Sequence, residues 1–133
     1  LRALKEFHVP VRQKYLKKGD YHIESGYLAA QALLATDCTS AFVCNDMMTL
    51  GFLRKLYEEG RRVPQDYSIV SYDASLKNYP LGVELTTVVQ DIELLAREAC
   101  RLLFGNLQNG ARQDLSRIIL PPKLTVRGSV KEA

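Results

Sequence analysis

The sequence predicts an α/β fold, a parallel sheet flanked by helices, and three observations carry that expectation. Helix-length and strand-length segments alternate along the chain, the pattern of strands joined by helical crossovers. Two strand-length segments, around Phe42 and Ile69, are compact apolar runs, as expected where both faces of a strand are covered. The chain has 133 residues, 47% hydrophobic and 25% charged, which suits one soluble domain with a core and excludes general disorder.

The elements follow in order. Leu1 to His8 reads as the end of a helix, stopped at Val9-Pro10 because the residue before a proline disfavours helix. Val11 to Leu16 is rich in strand formers and predicts a first strand. From Ile23 to Thr36, residues Ile23, Tyr27, Ala30 and Leu34 recur at helical spacing, with Leu33 widening the stripe. Ala41 to Cys44 predicts a strand, and Asp46 is expected to cap a helix from Met47 to Glu59, which Gly60 ends. Tyr67 to Tyr72 and Leu85 to Val89 predict further strands, separated by a loop from Ala74 to Glu84. Asp91 is expected to cap a helix running to about Leu107, with Ile92, Leu95, Ala96, Ala99 and Leu103 on one face. Asn109-Gly110 reads as a turn, and Ser116 to Leu120 and Leu124 to Val126 as strands around Pro121-Pro122.

Several function classes drop out early. The apolar runs reach only four residues, far short of a membrane-spanning helix, and no signal peptide is visible. The net charge, 18 − 15 = +3, is too mild and scattered to argue for nucleic acid. Cys38, Cys44 and Cys100 are odd in number and unclustered, so they read as reduced thiols, small buried residues in a cytoplasmic protein. With His8 and His22 as the histidines, no metal site is expected. No catalytic constellation or cofactor motif is present: there is no nucleophile elbow, phosphate-binding loop or dinucleotide fingerprint. The acidic pair and lysine of a phosphoryl-accepting receiver are missing too. The expectation is that the chain is not an enzyme.

In a parallel sheet, ligands bind beyond the carboxyl ends of the strands. Tyr21 follows the first expected strand, Asn45 and Asp46 the second, Asp73 the third, and Gln90 ends the fourth. An aromatic ring, two amides and a carboxylate on one rim suit a small polyhydroxylated ligand: the polar groups serve hydroxyls and the ring packs on an apolar sugar face. Each residue also has a plainer reading. Asp46 is most simply a helix cap, Asn45 and Asp73 are common turn residues, and Tyr21 or Gln90 alone carries little weight. It is their coincidence on one rim that counts.

Four stretches then resemble one family. Ala41-Phe42-Val43-Cys44-Asn45-Asp46-Met47-Met48-Thr49-Leu50-Gly51, Val63-Pro64-Gln65-Asp66-Tyr67-Ser68-Ile69-Val70-Ser71-Tyr72-Asp73, Leu85-Thr86-Thr87-Val88-Val89-Gln90 and Leu124-Thr125-Val126-Arg127-Gly128-Ser129 are similar in order and spacing to the lactose repressor/galactose repressor family of bacterial transcription regulators. The resemblance implies a Rossmann-like subdomain of a type I periplasmic-binding-protein-like fold. Residues 1–90 would form the C-terminal effector-binding subdomain, incomplete at its start. Residues 91–120 would be the crossover segment belonging to the N-terminal subdomain, and 121–133 the return strand and tail. The chain opens at Leu1, without methionine and inside a helical pattern, which points to a piece of a longer polypeptide. The family's helix-turn-helix, through which operator DNA would be bound, has no counterpart here.

By the same resemblance, Tyr21, Asn45, Asp73 and Gln90 bind a small-molecule effector, a sugar or an analogous ligand. Met47, Leu50, Arg54 and Leu81 form the contact of a homodimer. No cofactor and no membrane partner are implied, and the protein is expected in the cytoplasm. The alternative reading is a periplasmic-type sugar-binding protein of a transport system. Ser71 departs from a usual glycine, Thr49 from a usual alanine, Glu84 from a common proline, and His22 from the usual capping residue. Finally, the face of Ile92, Leu95, Ala96, Ala99, Leu102 and Leu103 is expected to find cover in one of three ways: against another copy of the chain (the favoured one), folded back on its own sheet, or against a separately supplied subdomain.

Overall fold

The computed structural model describes residues 2–73, 79–108 and 117–131. Four α-helices and four strands follow there in order: α1 (Arg2–Glu6), α2 (Ile23–Leu34), β1 (Ser40–Val43), α3 (Asp46–Glu58), β2 (Ser68–Tyr72), β3 (Thr86–Val89), α4 (Ile92–Gln108) and β4 (Lys123–Thr125). The strands form one sheet in the order β1-β2-β3-β4. The first three are parallel, with Val43 opposite Ser71 and Ser71 opposite Thr87. The fourth is antiparallel to β3, so the sheet is mixed rather than wholly parallel.

Helices α2 and α3 pack on each other, and α3 packs on β1 and β2. The core lies between them, where Ala30, Leu33, Phe52, Leu56, Tyr67 and Ile69 are buried. The two helices cross at glycines. A Cβ on Gly26 would stand 2.0 Å from the Met48 carbonyl oxygen, and one on Gly51 would stand 1.8 Å from that of Ile23. Gly26 thus belongs to the buried face of α2, while Ile23, assigned there by periodicity, is exposed. Across the outer side of this crossing, the Tyr27 hydroxyl donates to Glu58 at 2.6 Å, and Arg54 holds the other oxygen at 2.9 Å.

Several expectations are corrected. Val11 to Leu16 is not a strand: Gln13–Tyr15 forms a single 3₁₀ turn. There Lys14 and the Tyr15 hydroxyl both reach Asp37, at 2.7 and 2.8 Å, a tie between segments that sequence periodicity does not register. Phe42 was expected to be covered on both faces, but β1 is an edge strand and Phe42 is 56% exposed. Cys44 and Cys100 are exposed and Cys38 is half-buried, so they are not buried fillers. Arg117 to Leu120 are not in a strand. The turn at Asn109-Gly110, residue Ser116 and the first part of the Ala74–Glu84 loop lie outside the described residues.

The C-terminal motif acts as a clasp. Ser129 is fully buried. Its hydroxyl donates to the Ile69 carbonyl at 2.6 Å and accepts the Thr86 N–H at 2.8 Å, while its own carbonyl accepts the Ile69 N–H at 2.8 Å. One serine therefore joins β2, β3 and the tail.

Helix α4 stands apart. The Asp91 side chain caps it by accepting the Leu94 N–H at 2.9 Å, as expected. None of its residues is buried, and Ile92 and Leu103 are 62% and 58% exposed. Of the three ways of covering this face, folding back onto its own sheet is therefore not the one taken.

Candidate functional site

Because β1, β2 and β3 run parallel, their carboxyl ends form one rim. Asn45 stands two residues beyond β1, Asp73 directly beyond β2 and Gln90 directly beyond β3. Tyr21 reaches the rim differently, since among the described residues no strand precedes it. The Asn45 side-chain amide donates to the Tyr21 carbonyl at 3.1 Å and ties that loop to the start of α3.

Asn45, not Asp46, caps α3. Its Oδ1 accepts the Met48 N–H at 3.0 Å, and Asp46 is the first helical residue, itself buried. Both residue types make good caps, so adjacency in sequence left the choice open. The Asn45 amide still has one N–H and one lone pair beyond these two bonds.

At the next strand, Asp73 adopts a left-handed backbone with φ of +78°. Its N–H donates to the Val88 carbonyl at 3.0 Å, its carbonyl accepts the Thr87 hydroxyl, and its Oδ1 accepts the Gln90 amide at 3.2 Å. Asp73 and Gln90 are thus joined directly, and Tyr21 and Asn45 are joined directly. Tyr21 is itself left-handed, with φ of +69°, and 68% exposed, so its ring is presented to solvent rather than packed in the core.

The loop before α2 is closed without a side-chain cap from His22. Instead Asp20 accepts the His22 N–H at 3.1 Å, and Ser25 donates to the His22 carbonyl at 3.0 Å. Bonds from Ser25 and the His22 backbone hold the Asp20 carboxyl below its ordinary value. The two departures at the back of the rim meet each other. Thr49 and Ser71 are fully buried, their hydroxyls 3.2 Å apart, and Thr49 also donates to the Asn45 carbonyl at 2.8 Å.

At the opposite end of β1, an apolar groove of about 350 Å³ is lined by Leu4, Val9, Val11, Leu16 and Ser40. It shares no residue with the rim, and its polar lining, with Arg12, Tyr15 and Asp37, includes the Tyr15–Asp37 tie. Among the described residues no group of three or more His, Cys, Asp or Glu gathers as a metal site would require.

Of the other four residues singled out from sequence, Met47 and Arg54 are exposed, whereas Leu50 and Leu81 are half-buried against the core. The Tyr57 hydroxyl donates to the Leu81 carbonyl at 2.7 Å and holds that loop beside α3. Sequence reasoning missed Thr87 and Ser129 as individual residues. The signal available for them was only their place inside two of the quoted motifs.

Comparison with known proteins gives a consistent picture. The family model described as periplasmic binding protein-like domain matches residues 1–130. The HTH-type transcriptional repressor PurR of Mannheimia succiniciproducens is 36% identical over 136 residues, covering 99% of this chain and 40% of that protein. A LacI family transcriptional regulator from Enterococcus faecium, solved with bound ribose, matches with a TM-score of 0.85 at 30% identity, over 97% of this chain and 48% of the other. The transcriptional regulator CelR in complex with cellobiose matches with a TM-score of 0.87 at 34% identity, over 96% and 39%. The chain therefore spans 40% of the length of that curated relative.

Proposed function

Since the chain belongs to the periplasmic-binding-protein-like domain family, in the form found in the effector domains of lactose repressor/galactose repressor-type regulators, we propose that it supplies one wall of an effector site in a transcriptional repressor. The effector is a sugar or a related small molecule, held by Tyr21, Asn45, Asp73 and Gln90. The observation that carries this reading is the joining of these four residues in two hydrogen-bonded pairs, on one rim of the parallel strands. Carboxylate and amides serve hydroxyls, and an exposed ring serves an apolar sugar face. The ribose and cellobiose bound by two relatives, both named as regulators, support it over a transport role.

In this reading residues 1–90 are the effector-binding subdomain, 91–120 the crossover to a second subdomain, and 121–133 the return. The exposed face of α4 packs on that second subdomain, or on the same face of another copy. The effector bridges the two walls and favours one hinge angle. That shifts the population of DNA-binding conformations, with operator DNA bound through a helix-turn-helix outside this chain. The protein acts in the cytoplasm as a homodimer joined near Met47, Leu50, Arg54 and Leu81. It has no catalytic role. Among the described residues no helix is long and apolar enough to cross a membrane.

The test is calorimetry of the full-length polypeptide against a panel of pentoses, hexoses and disaccharides, ribose and cellobiose included. Asp73→Ala is expected to weaken the best binder by about 1.5–3 kcal/mol, the range for hydrogen bonds to a charged group. Unchanged affinity would remove Asp73 from the site.

A further inference from the structure

Asp73 holds a backbone conformation that residues with a Cβ adopt at a cost, although aspartate bears it better than most. Such a conformation persists only where its surroundings over-determine it. Here three interactions from the end of β3 do so: the Val88 carbonyl takes the Asp73 N–H, the Thr87 hydroxyl donates to the Asp73 carbonyl, and the Gln90 amide donates to Oδ1. They differ in kind. The Val88 bond is main chain to main chain and is available to any sequence. The Gln90 bond is made to the carboxylate itself. The Thr87 bond is the side-chain contact that fixes the peptide plane following Asp73, and with it the direction in which the carboxylate leaves the backbone.

Thr87 is also a costly choice unless that bond matters. It is 3% exposed, in register with buried Ser71 in the sheet. A hydroxyl at such a position needs a partner. Valine has nearly the same shape, is a good strand former and needs none. The partner that Thr87 has is the carbonyl of the residue at the rim.

We propose that Thr87 is a positioning residue of the effector site: its hydroxyl locks Asp73 in the left-handed conformation and thereby holds the carboxylate toward Gln90 at the rim. The inference rests on the reading of Asp73 as an effector-binding residue. It extends that reading to a buried residue that no ligand would touch.

The experiment needs no ligand. The Gln90 side-chain amide resonances of the isotopically labelled chain are assigned by their loss in Gln90→Leu and compared among variants. Thr87→Val is expected to shift them to the position they take in Asp73→Ala, where the carboxylate is gone. Thr87→Ser, which keeps the hydroxyl, is expected to leave them at the wild-type position. Wild-type resonances in Thr87→Val, or equal shifts in the serine and valine variants, would overturn the proposal. A second measurement uses the wild-type chain alone: a Thr87 hydroxyl proton protected from exchange and coupled to the Asp73 carbonyl carbon is expected. A hydroxyl that exchanges freely would overturn it without any variant having to fold. A sugar panel without binders would instead count against the effector site, and the Gln90 resonances would be unaffected by that outcome.

Discussion

Replacing Ser129 by alanine removes a single oxygen, yet the structure makes it one of the most costly small changes available. The hydroxyl serves two buried backbone groups, the Ile69 carbonyl at 2.6 Å and the Thr86 N–H at 2.8 Å, and the residue is fully buried. Alanine would leave both groups without a partner. Each unsatisfied buried group costs about 1–3 kcal/mol, so the sum is roughly 2–6 kcal/mol and the expected loss is about 4 kcal/mol. A domain of this size has about 5–15 kcal/mol in all. Urea unfolding followed by circular dichroism measures the loss. With a slope of about 2 kcal/mol per molar, the midpoint should fall by roughly 2 M with the slope unchanged. Ser68→Ala is the control. Its hydroxyl accepts one longer bond, from the Lys131 N–H at 3.3 Å, and about 0.5–1.5 kcal/mol is expected. If Ser129→Ala shifts the midpoint no further than the control does, the clasp carries no special weight and the reasoning fails.

Thr49 and Ser71 share a buried hydroxyl contact, so Thr49→Ala and Ser71→Gly should not be additive. A double-mutant cycle by urea unfolding is expected to give a coupling of about 0.5–1.5 kcal/mol, and additivity would refute the pairing. Gly51→Ala would place a Cβ 1.8 Å from the Ile23 carbonyl oxygen, a backbone contact that cannot give way cheaply. Its thermal unfolding should show a loss at or above the usual overpacking range of about 1–3 kcal/mol, and near-wild-type stability would contradict the close helix crossing. The Asp37 carboxyl is held at about 2 by hydrogen bonds from Lys14 and then Tyr15. A carboxyl depressed on folding stabilises the fold above its unfolded value and loses that contribution as pH falls toward the folded one. Titration of Asp37 by NMR should show it rise toward the ordinary carboxylate value in Lys14→Met, and an unchanged midpoint would dismiss the contact.

The sequence alone determined the elements whose signal is local. The stripe of α2, the apolar runs of β1 and β2, and the Asp91 cap of α4 each sit in a short window, because periodicity and capping act between residues a few positions apart. The rim was legible for the same reason: parallel strands put the residue after each strand at one end of the sheet, so Asn45, Asp73 and Gln90 could be named from strand boundaries alone. What needed the tertiary structure acts between distant residues. The Val11–Leu16 segment carries strand formers, but it is drawn instead to Asp37, 23 residues from Lys14, and propensity yields to such contacts. Tyr21 is tied to the rim through Asn45, and Gly26 rather than Ile23 meets α3, because helix approach is decided by the facing backbone. The tie of Thr87 to Asp73 spans 14 positions and the clasp of Ser129 on Ile69 spans 60. A hydroxyl in a strand looks the same in sequence whether it faces water or satisfies a buried carbonyl. Only the folded chain brings the carbonyl to it.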